Sequence, residues 1–317
     1  SRKWRVASDE GRESRREPHA PVMLKEVMEW LGIKPDGIYV DATLGAGGHS
    51  GAIAGRLTSG RLISLDRDAQ ALELARERLK SFGATVIIVQ AAFSRIAEVV
   101  QELGIPKVDG VLADLGVSSM QLDQSARGFS FREAAALDMR MDTADDVTAE
   151  DIVNRWSETE IADLLYREAD EHDSRRIAKA IVRARPLRDT AHLATIVAGA
   201  RKHWGRQRLH PATKTFLALR IAVNREGEEL EQFLSGIPAT LNSGGRWIVL
   251  SYHSLEDRRV KRAFQRLAQE GSVRVLTKRV IQPTEQEIES NPRARSAKMR
   301  VAEKLTPAEA APAGSWR

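Results

Sequence analysis

Residues 38–50 read Ile38-Tyr-Val-Asp-Ala-Thr-Leu-Gly-Ala-Gly-Gly-His-Ser50 and combine a strand pattern, a glycine-rich loop and the start of a helix. A short run of β-forming residues ends at Asp41, and Gly45, Gly47 and Gly48 follow before a helical pattern begins. Glycines at a strand-to-helix turn let the backbone bend tightly and approach a ligand closely. The stretch therefore predicts the first strand, loop and helix of a ligand-binding α/β domain.

The alternation of strand and helix continues through the first half of the chain. Further predicted elements are strands at 61–66, 84–90 and 108–114 and helices at 50–57, 69–82 and 93–103. This alternation predicts a parallel sheet covered by helices on both faces, with right-handed crossovers. Asp41, Asp66 and Asp114 each end a strand, so we expect them at the carboxyl edge, where open α/β sheets bind ligands.

After Asp114 the alternation stops, and residues 122–212 contain helical patterns but no convincing buried strand. Helices are predicted there at 148–154, 157–168, 174–185 and 190–200. The pattern then predicts helices at 213–231 and 255–269 and strands at 246–252, 272–278 and 298–303. The simplest organisation is a discontinuous catalytic domain interrupted by a helical insertion. Its predicted parts are a flexible arm at 1–18, the catalytic domain at 19–121 and 213–305, a substrate-recognition insertion at 122–212 and a disordered tail at 306–317.

The composition restricts the class of protein. The chain has 317 residues, a net charge of +5 and no cysteine, which excludes disulfides, a cysteine nucleophile and thiolate metal sites. No apolar run is long enough to span a membrane, and the N-terminus is too charged for a secretory signal. We expect a cytoplasmic protein with no membrane contact and no metal. The positive charge favours a polyanionic partner such as nucleic acid.

Two cofactors compete for the glycine loop. Asp66 follows the loop by about 20 residues, where an acidic residue binds ribose hydroxyls in this architecture. A dinucleotide site requires Gly-x-Gly-x-x-Gly, with a helix N-terminus facing the pyrophosphate. Here the order is Gly-x-Gly-Gly after an acidic residue, which suits the amino acid group and ribose of S-adenosylmethionine better. A phosphate loop of the Walker type is excluded, because no Gly-Lys-Ser/Thr follows.

The segment after the fourth strand carries the candidate chemistry. Methyl transfer from a sulfonium mainly requires alignment of the reactants. An exocyclic base amine is a poor nucleophile, so a carboxylate that accepts a hydrogen bond from it, and later its proton, would assist. We predict that Asp114 is this catalytic residue. Ser118, Ser119 and Gln121 can supply orienting hydrogen bonds.

Several long motifs resemble one known family, the RsmH (MraW) methyltransferases. The resemblance extends over about residues 19–305. Its motifs are His19–Glu26, Asp41–Ser50, Asp114–Gln121, Arg127–Phe131, Leu137–Asp142, His210–Phe216, Leu219–Asn224, Ser251–Asp257 and Asn291–Lys298. The resemblance implies a Rossmann-like class I S-adenosylmethionine-dependent methyltransferase sheet with a helical insertion domain. It also implies methylation of N4 of a cytosine in the decoding region of 16S rRNA.

The resemblance implies site residues as well. Cofactor contacts are expected at Gly45, Gly47, Gly48, His49, Asp66, Phe93, Asp114 and Gln121. For His49 we expect the backbone to contact the cofactor more than the ring does. Substrate contacts are expected at Ser118, Ser119, Arg127, Phe129, Phe131, Arg140, Asn224, Tyr252 and His253. Many amino-methyltransferases carry Pro-Pro and an aromatic residue after the fourth strand. This chain has Asp114-Leu-Gly-Val117 there, so the stack on the target base must come from elsewhere. Phe129, Phe131 and Tyr252 are candidates, and each could equally be a core residue.

Basic residues cluster in four segments around the predicted active site. The clusters are 175–188, 201–214, 258–266 and 293–300, and Trp204 in the second could stack on a base. Together they favour phosphate contacts with 16S rRNA, either free or within the small ribosomal subunit. The oligomeric state stays open, with a homodimer as one option. Two other functions stay open: a dinucleotide-dependent oxidoreductase, and a non-catalytic RNA-binding factor in ribosome assembly.

Overall fold

The computed structural model describes residues 20–117, 121, 124–201, 210–306 and 309. The strands are β1 Ile38–Asp41, β2 Arg61–Asp66, β3 Val86–Gln90, β4 Val108–Asp114, β5 Leu241–Ser251, β6 Val273–Val275 and β7 Lys298–Lys304. Helices of the first half are α1 Leu24–Leu31, α2 Gly48–Ala54, α3 Ala69–Leu79 and α4 Ile96–Glu102. Helices of the middle are α5 Ala149–Arg155, α6 Glu158–Ala169, α7 Ser174–Arg183 and α8 Thr190–Ala200. The remaining helices are α9 Thr213–Val223, α10 Glu226–Thr240, α11 Ser254–Gln269 and α12 Glu285–Ser290.

The seven strands form one sheet in the order β3-β2-β1-β4-β5-β7-β6. β1 to β5 pair in parallel, whereas β7 runs antiparallel to both β5 and β6. The parallel part confirms the sheet predicted from the strand-helix alternation. This is the Rossmann-like sheet of class I methyltransferases that the resemblance implied, with an antiparallel strand placed beside β5.

Both faces of the sheet are buried, as predicted. Val40 of β1 packs on one face in a cluster with α4, α10 and α11, and the preceding Tyr39 packs on the other face in a cluster with α1 and α2. Trp247 and Ile248 of β5 divide between the same two clusters. Successive side chains of a strand point to opposite faces, so a strand covered on both sides is apolar at nearly every position.

The predicted helix at 213–231 is wrong in its extent. The structure has two helices, because Arg225 adopts a left-handed backbone with φ of 50° and interrupts the helix between α9 and α10. A residue with a β-carbon seldom adopts this conformation. Surrounding contacts hold the turn: the Asn224 carbonyl accepts a hydrogen bond from Arg67 at 2.9 Å. Helices α1 and α12 were not predicted.

The helical insertion has its own apolar core. Buried side chains from α5 to α8 form one cluster, which also includes Phe216, Leu219 and Val223 of α9. α9 therefore packs with the insertion, although we assigned it to the catalytic domain. The domain boundary at residue 212 stays a prediction. Capping boxes begin α5 at Thr148 and α6 at Ser157, the second as predicted.

Several predictions fall outside the described residues. They concern the arm at 1–18, Ser118, Ser119, Trp204 and nearly all of the tail at 306–317. Within the described part of the chain, no helix is long and apolar enough to cross a membrane.

Candidate functional site

A cavity of 920 Å³ opens at the carboxyl edge of the sheet. The residues that line it include the ends of β1, β2 and β4 and the segments that follow β3 and β5. Residues 20–22, 132, 141, 220–230 and 292–296 also contribute to the lining. Asp66, Phe93, Asp114 and Tyr252 all face this space. The structure therefore brings the predicted cofactor residues other than Gly47, and the predicted catalytic residue, to one site.

The glycine loop forms one wall of the cavity. Gly45 has φ of 50° and Gly47 has φ of 79°, a left-handed conformation that glycine adopts without strain. Gly45, Gly48 and His49 line the cavity. Gly47 is not among the lining residues. It precedes α2 as its N-cap, and a β-carbon there would lie 3.4 Å from Leu79. Its glycine is explained by the turn into α2.

Asp66 faces the cavity with both carboxylate oxygens already receiving backbone hydrogen bonds. Gly45 N donates to Oδ2 at 2.8 Å, and Asp68 N donates to Oδ1 at 2.9 Å. Burial raises the pKa of Asp66 to about 6, against the lowering effect of these two bonds. An ionised carboxylate has about four lone-pair sites. Asp66 therefore keeps capacity to accept bonds from a ligand's hydroxyl groups.

Asp41 lies beneath the loop as a buried carboxylate that does not line the cavity. Its Oδ2 accepts a hydrogen bond from Ser50 Oγ at 2.6 Å, and Oδ1 accepts one from Thr43 N at 3.2 Å. Burial raises the pKa of Asp41, and the nearby His49 and the Ser50 hydroxyl offset this only in part. Asp41 thus supports the loop, a role that the sequence alone did not predict.

Asp114 lies at the end of β4 with 23% of its side chain exposed to the cavity. Tyr252 OH donates to Oδ1 at 2.7 Å, and the backbone N of Asp114 donates to Thr43 Oγ1 at 2.6 Å. Burial raises the pKa of Asp114, while His49 and the Tyr252 hydroxyl act against the rise. A carboxylate that is costly to ionise and held in one orientation is suited to accept a proton.

Phe93 and Gln121 complete the predicted cofactor set on the cavity wall. Phe93 packs edge-to-face on Phe233, with ring centroids 5.3 Å apart. Gln121 Nε2 donates to Asp68 Oδ2 at 2.8 Å. Both side chains are therefore held by the protein core while they remain on the surface of the cavity.

Arg127 does not point into the cavity. Its guanidinium forms an ion pair with Asp68, and Nη2 donates to the carbonyls of Arg140 and Met141 at 2.8 Å each. Arg127 and Asp68 keep 11% and 3% of their side chains exposed. Arg127 is thus placed to fix the segment around 140, and the same guanidinium lies 5.5 Å from the Phe129 ring centroid.

Arg140 and Asn224 also act within the protein. Arg140 donates two hydrogen bonds to the Asp138 carboxylate, from Nε at 2.8 Å and from Nη2 at 2.9 Å. Asn224 is fully buried: Met141 N donates to its Oδ1 at 2.7 Å, and its Nδ2 donates to the Met139 carbonyl at 2.8 Å. The predicted substrate contacts of these two side chains stay predictions, and their placement favours support of the 139–141 backbone.

The aromatic candidates occupy different surroundings. Phe129 is 8% exposed and belongs to the core of the insertion. Phe131 packs on His210 and Phe216, with ring centroids 4.6 and 4.8 Å away. Tyr252 lines the cavity, but its hydroxyl holds Asp114. Of the three, only Tyr252 borders the space where a base would lie.

A charged network borders the cavity beside Tyr252. His253 Nε2 lies 2.9 Å from Glu256 Oε1, and Tyr252 N donates to Glu256 Oε2 at 3.0 Å. Arg220 binds Glu226 through two hydrogen bonds of 2.7 Å. Burial would raise the pKa of Glu256, but His253 and Arg220 lower it overall. Glu256 and Arg220 were not predicted as site residues, although both lie in motifs shared with the family.

Basic side chains surround the same cavity. They are Arg67, Arg78, Arg132, Arg220, Arg259, Arg293 and Arg295. Arg259 and the last two belong to basic clusters that were predicted to contact RNA. Arg132 was not predicted, and it is exposed. Arg67, Arg220 and Arg259 are paired with carboxylates of the protein. The positive charge of the other arginines suits phosphates that flank a base at the cavity.

The donor set fits S-adenosylmethionine. Asp66 offers free acceptor sites for ribose hydroxyls, and Phe93, Leu115 and Leu230 provide apolar walls for a purine. Within the described part of the chain, no cluster of His, Asp and Glu could hold a metal ion.

Comparisons with known proteins agree with this site. A family model described as the MraW methylase family matches residues 16–305. The ribosomal RNA small subunit methyltransferase H of Solibacter usitatus is 49% identical over 285 residues, which cover 90% of this chain and 99% of that protein. The protein of the same name from Cyanothece sp. is 50% identical over 287 residues, with 90% and 95% covered. An rRNA methylase structure from Streptococcus thermophilus covers 89% of this chain and 94% of its own at 14% identity, but its TM-score of 0.43 supports no inference.

Proposed function

The chain belongs to the MraW methylase family, and from this premise we propose that it methylates N4 of a cytosine in the decoding region of 16S rRNA. It is an S-adenosylmethionine-dependent rRNA methyltransferase. The observation that carries the proposal is Asp114, a carboxylate that faces a cavity of 920 Å³ and is oriented by the Tyr252 hydroxyl at 2.7 Å. The cavity has room for a base beside the cofactor.

The cofactor, when bound, supplies an electrophilic methyl group. The protein's part is to hold the amine in line with that group and to take its proton. Tyr252 occupies Oδ1 of Asp114, so Oδ2 is the oxygen that accepts a hydrogen bond from the cytosine amine. Asp66 binds ribose hydroxyls, and Gly45 and Gly48 allow close approach of the backbone. His253 and Glu256 border the base side of the cavity.

The arginines around the cavity are proposed to hold the flanking phosphates. Arg132, Arg293 and Arg295 come from two separate parts of the chain and meet at the cavity. A cytosine inside a stacked strand cannot reach Asp114, so the target nucleotide must turn out of its stack. Phosphate contacts on both sides of it would hold the RNA in that distorted form.

The insertion is proposed to bind RNA farther from the target base. A second cavity of 340 Å³ lies between α6 and α7 and is lined by Tyr166, His172, Arg175 and Arg176 among others. Tyr166 is 58% exposed, which suits stacking on a base. No ion pair to Arg175 or Arg176 occurs among the residues that the structure describes, so both are available for phosphates.

The cellular context follows from the proposed substrate. The proposed form of the substrate is 16S rRNA within the small ribosomal subunit, and free rRNA is the alternative. With either substrate we propose a cytoplasmic protein. A homodimer stays a prediction, which light scattering of the purified protein would check.

The deciding experiment incubates small subunits that lack the modification with this protein and methyl-labelled cofactor, followed by mass mapping of the modified nucleotide. We expect one labelled cytosine in the decoding region, with the methyl group on N4. Label on another nucleotide or on C5 would contradict the proposal. Raising the salt concentration should weaken RNA binding steeply, because phosphate contacts release counterions.

Two controls separate the other functions. Titration with NAD(P) and with S-adenosylmethionine distinguishes a methyltransferase from an oxidoreductase, which would bind the dinucleotide alone. A non-catalytic assembly factor predicts that Asp114→Ala leaves every function intact. We expect this variant to lose methyl transfer while it still binds RNA.

A further inference from the structure

His49 is held with one ring nitrogen fixed as a donor. The side chain is 6% exposed, and Nε2 lies 3.0 Å from the carbonyl oxygen of Val22. A carbonyl oxygen can only accept a hydrogen bond, so Nε2 must carry the hydrogen. In the neutral ring, Nδ1 is then a bare acceptor. The backbone of Val22 therefore selects the tautomer.

That bare nitrogen faces the proposed catalytic carboxylate. Nδ1 of His49 lies 3.7 Å from Oδ2 of Asp114, the oxygen that Tyr252 leaves free. This distance is longer than a hydrogen bond, and catalytic hydrogen bonds are often long before substrate is bound. Both side chains line the same cavity. The nearest basic nitrogen to the proton-accepting oxygen, in the contacts described, is thus Nδ1.

Titratable groups from several elements surround His49 and Asp114. Asp41 at the end of β1 and Asp114 at the end of β4 both interact electrostatically with the ring. Tyr252 faces Asp114 from the end of β5, and Glu256 and Glu287 lie farther out. All these groups are acidic. A proton that passes to His49 therefore enters a site whose neighbouring titratable groups are acidic.

Neither neighbour of Asp114 can replace His49 as a proton acceptor. Burial raises the pKa of Tyr252 well above its ordinary value, so its hydroxyl stays protonated and donates to Asp114. Asp41 is buried away from the cavity, and its oxygens accept hydrogen bonds from Ser50 and Thr43. Within the described site, His49 alone combines a free acceptor with a position beside Oδ2.

We propose that His49 acts through Asp114, as a second proton acceptor that takes the amine proton from Oδ2 of Asp114. The inference rests on the proposed function. As the amine nitrogen bonds to the methyl carbon, the carbon-sulfur electron pair stays with sulfur, and one N–H proton passes to Oδ2 of Asp114. The O–H bond then breaks as an N–H bond forms at Nδ1, which restores the carboxylate and leaves His49 as a cation. The proton leaves His49 to solvent when product departs.

The first test measures the tautomer directly and needs no activity. Nitrogen-15 NMR of the cofactor-free protein, with the His49 signals identified by their loss in His49→Gln, should show hydrogen on Nε2 and none on Nδ1 at neutral pH. Hydrogen on Nδ1 of the neutral ring would overturn the proposal, because that nitrogen could not accept a proton.

The second test is kinetic. In single-turnover methylation, His49→Gln should be slower by about tenfold or more, with the Kd for S-adenosylmethionine unchanged. Imidazole added to His49→Ala should restore part of the rate, whereas pyrrole, which has the same shape but no basic nitrogen, should not. A purely structural role predicts equal rescue by both. His192→Gln, in α8 and outside the cavity, is the matched control and should keep the wild-type rate.

The outcomes separate this inference from the proposed function. Wild-type rates in His49→Gln, or rescue by pyrrole, would overturn the role of His49 while methylation of cytosine N4 still stands. A wild-type protein that methylates no rRNA would contradict the proposed function, and the tautomer measurement would still decide whether Nδ1 is an acceptor.

Discussion

The carboxylates at the carboxyl edge of the sheet and the carboxylate of Asp138 have pKa values shifted in opposite directions. At the sheet edge, defined here as Asp41, Asp66 and Asp114, burial raises every pKa. In the loop anchor, defined as Arg127, Arg140 and Asn224 with the groups they bind, burial would raise the pKa of Asp138 as well. There the hydrogen bonds and charge of Arg140 outweigh burial, and the pKa of Asp138 is lowered.

This difference separates two kinds of polar residue that the same family motifs contain. At Asp66 and Asp114 the sheet edge keeps buried acceptors with capacity that the protein itself does not use, which is costly for folding and useful for binding and proton transfer. In the loop anchor the polar groups form hydrogen bonds and ion pairs with one another and with backbone groups. Changes at the edge should therefore affect chemistry, and changes in the anchor should affect stability.

The largest effect is expected at Asp114. Asp114→Asn should reduce single-turnover methyl transfer by about 10²- to 10⁴-fold, because the amide cannot accept a proton. The thermal midpoint should not fall, since the change keeps the shape and removes a buried charge. Asp36→Asn, at an exposed position, is the control and should change neither quantity. A variant that unfolds, or that turns over normally, would break the distinction between edge and anchor.

Arg127→Ala should show the opposite behaviour. The substitution leaves Asp68, 3% exposed, without its ion-pair partner, which should lower the free energy of unfolding by about 3 kcal/mol. The folded fraction should still methylate. Arg155→Ala is a matched control, because Arg155 is 80% exposed in its pair with Asp151 and its loss should be close to neutral. Urea denaturation of both variants, with activity scaled to folded protein, makes the comparison.

The sheet edge was predictable because its signals are local. Each of the three aspartates directly follows an apolar run, and parallel strands bring their carboxyl ends to one edge whatever the intervening sequence is. The five parallel strands were found for the same reason. The antiparallel direction of β7 was not predicted, because strand direction depends on pairing with β5 rather than on the pattern of residues 298–304.

The loop anchor was misassigned because its contacts are distant in sequence. Asn224 binds the backbone of Met141, 83 residues away, and Arg127 binds Asp68, 59 residues away. A motif shows that these residues belong together, but it does not show whether they meet a ligand or each other. The break at Arg225 was missed likewise, since its left-handed backbone is held by tertiary contacts and not by a glycine.

Tyr252 tests whether the hydroxyl that orients Asp114 contributes to the chemistry at the sheet edge. Tyr252→Phe keeps the ring and removes the hydroxyl that donates to Asp114 at 2.7 Å. A hydrogen bond to a charged group contributes about 1.5–3 kcal/mol, so we expect kcat to fall by about 10- to 100-fold. If the ring's main task were to stack on the target base, as the sequence suggested, the variant would keep its kcat. Steady-state kinetics on small subunits decides between the two roles.

The smallest effect, and the finest test of the edge, is the pH dependence of cofactor binding. The pKa of Asp66 is raised from 3.8 to about 6, so its carboxylate is fully present only above that pH. Ribose hydroxyls donate to a carboxylate, and a proton on Asp66 competes with them. The Kd for S-adenosylmethionine should therefore rise as pH falls through about 6, by about tenfold at one unit lower. The same shift has the reverse sign for folding: the contribution of Asp66 to stability is largest below its unfolded pKa and is lost as pH rises through about 6.

Calorimetric titration of S-adenosylmethionine from pH 5 to 8 should show the rise in Kd towards low pH for the wild type and a weak, flat Kd for Asp66→Asn. A pH dependence that survives in this variant would assign the proton to another carboxyl of the edge, with Asp114 the first candidate.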